Sequence, residues 1–219
     1  MRPTLFIWIP RTGGTSLWSR LEKPTGYSKP QRVSEPQRPF DPSKITTTFQ
    51  HVAIGNLLDD ETITEEWLAR QWTFAIVRNP WARLVSVYQH MRFGNALRKR
   101  IVRDISFDRM IELACAGDIP PVGRYSLNGL SYANRQTDWL WLGRHGSVRL
   151  WLPDYVGRTE SLAESWEVIQ AYLGVEGTIQ RRNRASPLKP AWREYYDDRL
   201  RRLVAKYEEE TIDRFGYTF

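Results

Sequence analysis

The stretch Thr4-Leu-Phe-Ile-Trp-Ile9, followed directly by Pro10-Arg-Thr-Gly-Gly-Thr-Ser16, decides the fold class of this chain. Its first half is a short apolar run, which is typical of a strand buried in a parallel sheet. Its second half places two glycines and two hydroxyl residues where a short helix, predicted over 15–21, begins. In such a strand–loop–helix turn the backbone N–H groups converge on an anion. The stretch predicts an α/β protein with an anion-binding loop, although adjacent glycines also occur in ordinary turns.

The residue types of this loop suit a phosphate-like ligand. Gly13 and Gly14 allow a close backbone approach and positive φ values, and Thr15 and Ser16 add hydroxyl donors at the helix start. Arg11 adds a fixed positive charge with a planar fork of donors. The Lys-Ser/Thr pair of the pattern G-x-x-x-x-G-K-[ST] is missing, so the loop does not support an NTP hydrolase.

A second strand-to-helix junction lies at Arg78-Asn-Pro80, after an apolar run over 71–77. Asn79 suits the N-cap of the next helix, and Pro80 suits its first turn. Arg78 stands at the carboxyl end of the predicted strand, which is the edge where open parallel sheets bind ligands. Ser86 lies about two helical turns further on, within reach of the same phosphate.

The helix after Arg78 has a buried stripe at helical spacing, formed by Trp81, Leu84, Tyr88 and Met91. Ser86 lies off this stripe and is available for a ligand. For Arg83 two interpretations stay open: a further phosphate ligand, or a solvated helix residue.

Strands alternating with helices predict an α/β fold with a central, mainly parallel sheet flanked by helices, in a single domain spanning residues 1–219. The proline-rich segment 23–44 is expected to be a long loop insertion, as is the Gly/Pro-containing segment 117–131. Further predicted elements are an extended segment at 45–53, helices at 61–70, 106–116 and 162–173, a strand at 148–152 with a return at 155–156, a basic loop at 181–190, and the longest helix at 192–215.

Composition restricts the partners and the compartment. The net charge of +7 and the pI of about 9.7 favour anionic ligands without choosing among them. Cys115 is the only cysteine, so an internal disulfide and a cysteine metal cluster are excluded, and we expect it to be buried. The apolar run over 5–9 is too short for a signal sequence or a membrane span. We expect a soluble, cytoplasmic protein without a metal.

The two motifs together resemble the cofactor site of sulfotransferases that use 3′-phosphoadenosine 5′-phosphosulfate (PAPS) and release 3′-phosphoadenosine 5′-phosphate (PAP). The loop resembles the family's 5′-phosphosulfate loop, typically P-K-T-G-G-T-S, and the segment Ile76 to Tyr88 resembles its 3′-phosphate motif, typically R-[DN]-P-x-x-R-x-x-S-x-Y. The resemblance implies a P-loop-like architecture and PAPS as co-substrate. It assigns the 5′-phosphosulfate to Arg11, Thr12, Gly13, Gly14, Thr15 and Ser16, and the 3′-phosphate to Arg78 and Ser86.

Weaker similarities lie at Gln136-Thr-Asp-Trp139, Val156-Gly-Arg-Thr-Glu160 and Asp213-Arg-Phe-Gly-Tyr217. They resemble the carbohydrate branch of the family, which includes Golgi enzymes that sulfate glycosaminoglycans, as heparan sulfate 2-O-sulfotransferases do. The resemblance implies a hydroxyl-bearing acceptor, a carbohydrate rather than a nucleic acid. The membrane anchor of that branch is not seen, which suggests a soluble bacterial or viral relative. Arg11 replaces the family's usual lysine, so it can neutralise charge but cannot donate a proton.

Transfer to a hydroxyl needs a base, and histidine suits neutral pH. His51 stands before the second-motif strand, where the resemblance to several carbohydrate sulfotransferases places a histidine base, so it is the preferred candidate. Two alternatives stay open: His51 only bonds backbone, or a carboxylate such as Glu35 is the base. His90 and His145 are expected to be surface or packing residues.

Two further groups have open roles. Trp139 and Trp141 are either core residues or platforms for a sugar or adenine ring. Arg181, Arg182 and Arg184 form either a closing loop over an anion or a plain solvated loop. Two rival functions also stay open: a P-loop-type kinase that uses ATP, and a polyanion-binding module without catalysis.

Overall fold

The computed structural model describes residues 2–21, 46–49, 51–59, 61–93, 104–119, 130–143, 149–179 and 191–219. They group into two compact units, the first within 1–77 and 138–183 and the second within 78–137 and 184–219. The single domain predicted for residues 1–219 stays a prediction, and the insertion 23–44 lies outside the described residues.

The first unit is built on a four-stranded parallel sheet, which confirms the predicted α/β class. Its strands are β1 (Thr4–Ile7), β2 (Thr46–Thr47), β3 (Trp72–Val77) and β6 (Tyr155–Arg158), in the order β2-β1-β3-β6. Thr4 of β1 pairs with Thr46 on one side and with Trp72 on the other. Because all four strands are parallel, their carboxyl ends lie at one edge of the sheet.

Helices α1 (Gly14–Leu21) and α6 (Leu162–Leu173) cover one face of this sheet. Apolar side chains along β1 and β3 are buried because they pack under these helices. Phe6 stacks on Phe74 with ring centroids 5.1 Å apart. The core on this face contains Phe6, Trp8, Leu17, Leu21, Trp72, Phe74, Ile76, Leu162, Trp166, Ile169 and Leu173.

The first unit also has shorter elements. Helix α2 (Ile54–Asp59) follows the segment predicted as extended, in whose described residues, 46–49 and 51–53, only β2 is a strand. Helix α3 (Glu65–Ala69) is shorter than the helix predicted over 61–70, because Thr64 caps it by accepting the N–H of Trp67.

The strand predicted at 148–152 is confirmed, but over only two of its described residues. Strand β5 (Leu150–Trp151) pairs antiparallel with β4 (Trp141–Leu142) in a separate two-stranded sheet. The segment predicted as its return is instead β6, which adds to β3 in the main sheet.

The second unit is helical and contains α4 (Pro80–Phe93) and α5 (Phe107–Ala116). The predicted cap of α4 is confirmed, because the N–H of Ala82 donates to Oδ1 of Asn79 at 3.2 Å. Helix α5 begins after Ser106, which accepts the N–H of Arg109, and ends at Gly117 with φ 79°. The predicted stripe of α4 is buried in this unit's core: Trp81, Leu84, Tyr88 and Met91.

The long helix predicted at 192–215 is wrong. The segment contains a 3₁₀ turn (Trp192–Tyr195), α7 (Asp198–Tyr207) and α8 (Glu209–Phe215). Asp197 starts α7 by accepting the N–H of Leu200 at 2.7 Å. Over the part of the chain that the structure describes, no helix has both the length and the apolar character to cross a membrane.

Candidate functional site

The loop between β1 and α1 is a compact turn closed by its own hydrogen bonds. Oγ1 of Thr12 donates to the carbonyl of Ile9 at 3.0 Å, and the N–H of Ser16 donates to the carbonyl of Gly13 at 2.9 Å. Arg11 has φ 68° and Gly13 has φ 90°, so two loop residues lie in the left-handed region. Turns of this kind bring successive N–H groups together, and Gly14 and Thr15 then present the unpaired N–H groups of a helix start.

Gly14 is required by direct packing against Trp8. A Cβ at position 14 would lie 1.8 Å from Nε1 of Trp8, so no side chain fits there. The Trp8 ring also stacks with Trp18 at 5.9 Å between centroids, which fixes it beneath the loop. The second glycine of the pair therefore lets the start of α1 lie directly on the indole.

Thr159 ties the loop to the end of β3. Its Oγ1 lies 2.7 Å from the carbonyl of Thr12 and 3.1 Å from that of Val77, and its N–H donates to Val77 at 2.8 Å. Its methyl group would lie 3.7 Å from a Cβ at Gly13. The sequence contained the signal, because Thr159 belongs to the Val156–Glu160 motif, but no role had been assigned to it.

His51 is anchored to the strand that leads into the loop. Its Nδ1 lies 2.9 Å from the carbonyl oxygen of Trp8, and the side chain is buried, with 8% exposed. A carbonyl only accepts, so Nδ1 donates, and in the neutral ring Nε2 is the basic nitrogen. The ring also meets the Trp8 indole edge-on, at 5.6 Å between centroids. Both alternatives for His51 are compatible with this bond, since it holds the ring without using Nε2.

In the second unit, Arg78 is held through its backbone by Gln136. The Arg78 N–H donates to Oε1 of Gln136 at 2.8 Å, and Nε2 of Gln136 donates to the Arg78 carbonyl at 2.8 Å. Ser86 and His90 both lie on α4. Ser86 is half-buried, and the ring of His90 packs near the ring of Tyr132. The sequence had singled out Gln136 only as part of a similarity, not as a partner of Arg78.

Arg83 corrects both sequence interpretations, because it is neither solvated nor available as a phosphate ligand. Its side chain is fully buried and its Nη2 pairs with Oε1 of Glu208 at 2.9 Å. Its Nη1 donates to the carbonyl of Tyr132 at 3.0 Å, and Nη2 also donates to that of Asn134. Burial and charge pairing make it a structural residue of the second unit.

The two tryptophans proposed as stacking platforms differ in how deeply they are buried. Trp139 is 2% exposed and is a core residue, so it cannot stack on a ligand. Trp141 is half-buried, in edge contact with Trp151 and under the guanidinium of Arg149.

Cys115, expected to be buried, is half-buried, and burial raises the pKa of its thiol to about 12. Glu35, His145, Arg181, Arg182 and Arg184 lie outside the described residues.

Among the residues with described positions, no three histidine, cysteine, aspartate or glutamate side chains cluster as metal ligands would. The first unit offers a turn whose backbone N–H groups suit an anion, with Arg11 in the turn and His51 hydrogen-bonded to Trp8 just before it. The chemistry that the second unit offers is an arginine whose backbone is fixed, followed by a serine on the next helix.

Comparison with known proteins gives matches of two kinds, a family sequence model and solved structures. The sequence model of one family, described as the sulfotransferase family, matches residues 4–218. A solved structure, that of mouse sulfotransferase SULT7A1 complexed with PAP, is similar with a TM-score of 0.53 and 13% identity. The match covers 98% of this chain and 84% of the mouse chain, and at this identity it shows the fold alone. No match was found among the curated protein sequences.

Proposed function

The chain belongs to the sulfotransferase family, and we propose that it transfers the sulfuryl group of PAPS to a hydroxyl of a carbohydrate acceptor. The observation that carries the proposal is the loop after β1. There Gly14 has no room for a Cβ against Trp8, and Gly13 adopts φ 90°. Both features let the turn adopt a compact conformation in which its backbone N–H groups can approach an anion.

The loop suits the 5′-phosphosulfate of PAPS. Gly14 and Thr15 begin α1, and a helix start favours a negative group through its N–H donors and its dipole. Arg11 adds charge and two or more parallel donors. The amide of Ser16 already closes the turn on Gly13, so we assign to Ser16 its hydroxyl as the binding group. Thr12 contributes by holding the turn together.

Arg78 and Ser86 are proposed for the 3′-phosphate, following the family motif. Arginine suits a phosphate dianion because its fork gives two parallel charge-assisted hydrogen bonds. The neighbouring structure that the chain resembles was solved with PAP, which supports a site for this nucleotide in the fold.

PAPS supplies an activated sulfuryl group, and the balanced reaction gives a sulfate ester and PAP. The acceptor oxygen forms a bond to sulfur, the bond from sulfur to the 5′-phosphate oxygen breaks, and the acceptor hydroxyl loses one proton. We assign that proton to Nε2 of His51, because Nδ1 already donates to Trp8. Arg11 stabilises the charge left on the 5′-phosphate and does not donate a proton.

Carbohydrate as the acceptor is proposed from the similarities at Gln136–Trp139, Val156–Glu160 and Asp213–Tyr217. The cytoplasmic location and the bacterial or viral origin stay predictions.

The proposal is tested by the turnover of PAPS in Arg11→Ala and Arg78→Ala. We expect a loss of about 10²-fold or more in each, because each removes a charged donor from the site. Arg70→Ala is the matched control, since Arg70 is exposed and pairs only with Glu66 one turn away. Unchanged turnover in both folded variants would sink the proposal.

Calorimetry with PAP and 5′-AMP at matched salt separates the rival functions. A sulfotransferase prefers PAP because of its 3′-phosphate. An ATP-dependent kinase would need Mg²⁺ and would prefer ATP. A polyanion-binding module would show steep salt dependence and no selectivity for the 3′-phosphate.

A further inference from the structure

A buried amide holds the backbone of Arg78. The Gln136 side chain is 0% exposed and makes two hydrogen bonds to one residue, accepting from the Arg78 N–H and donating to the Arg78 carbonyl, each at 2.8 Å. This is the bonding that a neighbouring strand would provide at that position. Arg78 follows directly after β3. The two hydrogen bonds from the Gln136 side chain therefore extend the backbone hydrogen bonding by one residue beyond the end of that strand.

Gln136 is itself fixed by a buried carboxylate. Its N–H donates to Oε2 of Glu208 at 3.3 Å, and the hydroxyl of Thr211 donates to the same oxygen at 2.6 Å. Glu208 is 0% exposed. The carboxylate thus accepts from two elements, the 3₁₀ turn Gln136–Trp139 and helix α8, which limits the movement of Gln136.

The same carboxylate connects to helix α4. Oε1 of Glu208 pairs with Nη2 of Arg83 at 2.9 Å, and Arg83 lies one turn before Ser86. Arg78, Gln136, Glu208 and Arg83 therefore form one continuous chain of hydrogen bonds and one ion pair within the second unit. Arg78, which is assigned to the 3′-phosphate, stands at one end of this chain, and Arg83, one turn before Ser86, stands at the other.

We propose that Gln136 is a positioning residue for recognition of the 3′-phosphate, acting through the backbone of Arg78. The inference rests on the proposed function, in which Arg78 binds that phosphate. A bidentate arginine contact depends on where its Cα is held, and small displacements of a positioned group cost large factors in binding. The amide holds both backbone groups of Arg78, so it fixes the origin of the guanidinium without touching the ligand.

The test is the affinity ratio for PAP over 5′-AMP, measured by calorimetry on the full chain carrying Gln136→Met. Methionine has nearly the same length and cannot make either hydrogen bond. We expect PAP affinity to fall about tenfold or more while 5′-AMP affinity changes less than about twofold. In turnover, the KM for PAPS rises and the KM for the acceptor does not. An unchanged affinity ratio in the folded variant would overturn the proposal.

Two further variants separate positioning from stability. Gln136→Asn keeps the amide but is too short for both bonds, so it should also lower the ratio; it decides the question if the methionine variant does not fold. Met110→Ala removes a fully buried side chain from the core of the same unit. It should lower stability and leave the ratio unchanged. Misfolding of both Gln136 variants would show a purely structural role and overturn the proposal.

The wild-type chain distinguishes this inference from the function on which it rests. If the wild type does not prefer PAP over 5′-AMP, the proposed 3′-phosphate site fails, and the positioning role fails with it. If the wild type prefers PAP and Arg78→Ala loses that preference while Gln136→Met keeps it, only the role of Gln136 is wrong.

Discussion

The carbonyl oxygen of Trp8 accepts a hydrogen bond from Nδ1 of His51, 2.9 Å away. His51 reaches this position with φ 61°, a left-handed conformation that is uncommon outside glycine, although histidine, asparagine and aspartate adopt it more often than other residues. Residues held in such conformations cost about 1–3 kcal/mol and are often found where function requires them. The bond and the backbone conformation together place a defined nitrogen beside Trp8, the first residue after β1 and the start of the loop proposed to bind an anion.

Replacing His51 with asparagine should abolish most turnover while leaving PAP binding intact. Asparagine tolerates the left-handed φ but cannot act as a base. Removal of a general base lowers the rate by about 10²–10⁴-fold. His90→Asn, on helix α4, is the matched control and should be nearly neutral. Full turnover in the folded His51 variant would mean that another group is the base, and Glu35 is the first candidate.

A methyl group at Gly14 should destabilise the first unit. A Cβ there lies 1.8 Å from Nε1 of Trp8, and overpacking of this kind costs about 1–3 kcal/mol. Gly55→Ala is the control, since its Cβ would lie 3.6 Å from Leu142 in ordinary contact within a helix. That control should be neutral or stabilise by about 0.5–1 kcal/mol. Urea unfolding of both variants measures the difference, and equal stabilities would contradict the packing argument.

Thr159→Val should remove the hydrogen bond that holds the loop while changing the side-chain volume little. The Thr159 hydroxyl has two carbonyl oxygens within reach, and that of Thr12 is the nearer, at 2.7 Å. The other, that of Val77, already accepts from the Thr159 N–H. Leaving the Thr12 carbonyl without its donor costs about 1–3 kcal/mol. We expect lower stability in urea unfolding and weaker PAP binding. Thr159→Ser keeps the hydroxyl and should retain most of both; a serine variant as impaired as the valine variant would contradict this role.

The buried pair of Arg83 and Glu208 should show strong coupling in a double-mutant cycle. Both side chains are 0% exposed, so Arg83→Met leaves an uncompensated carboxylate and costs about 3–5 kcal/mol of unfolding free energy. The double variant Arg83→Met/Glu208→Leu should lose less than the sum of the single variants. Additive losses, measured by urea unfolding, would mean that the two side chains act independently.

Cys115 should react slowly with iodoacetamide at about pH 8. Burial raises the pKa of its thiol to about 12, with a smaller contribution from the charge of Glu208. The thiolate is the reactive form, so the folded protein should be alkylated far more slowly than the same protein in urea. The rate of the folded protein should rise with pH beyond the ordinary thiol range. Equal rates in both states would show that the thiol is not perturbed.

The elements that the sequence predicted well are those with local signals. Helix α4 begins at Pro80 because Asn79 caps it, and both residues stand side by side in the chain. Strands β1 and β3 are buried along their whole length, and apart from Thr4 and Thr73 their residues are apolar. The two central strands of the sheet and the start of α4 could therefore be predicted from short stretches.

The failures come from partners that are distant in the chain. Arg83 looked like a helix surface residue because Glu208, which neutralises it, lies 125 positions away. The long helix predicted at 192–215 breaks at Glu208, whose side chain is directed to Arg83 and Gln136. Periodicity cannot show such a break. Asp197, in contrast, is a local N-cap signal, which is enough to predict a helix that begins after it.

The contact between Trp8 and Gly14 also restricts how this protein can change. A larger residue at position 14 becomes tolerable only once the indole at position 8 has been replaced by something smaller. Truncating Trp8 alone would leave a void beneath the helix start. Each single step is therefore unfavourable, and the two positions can change only as a compensating pair, which makes them epistatic.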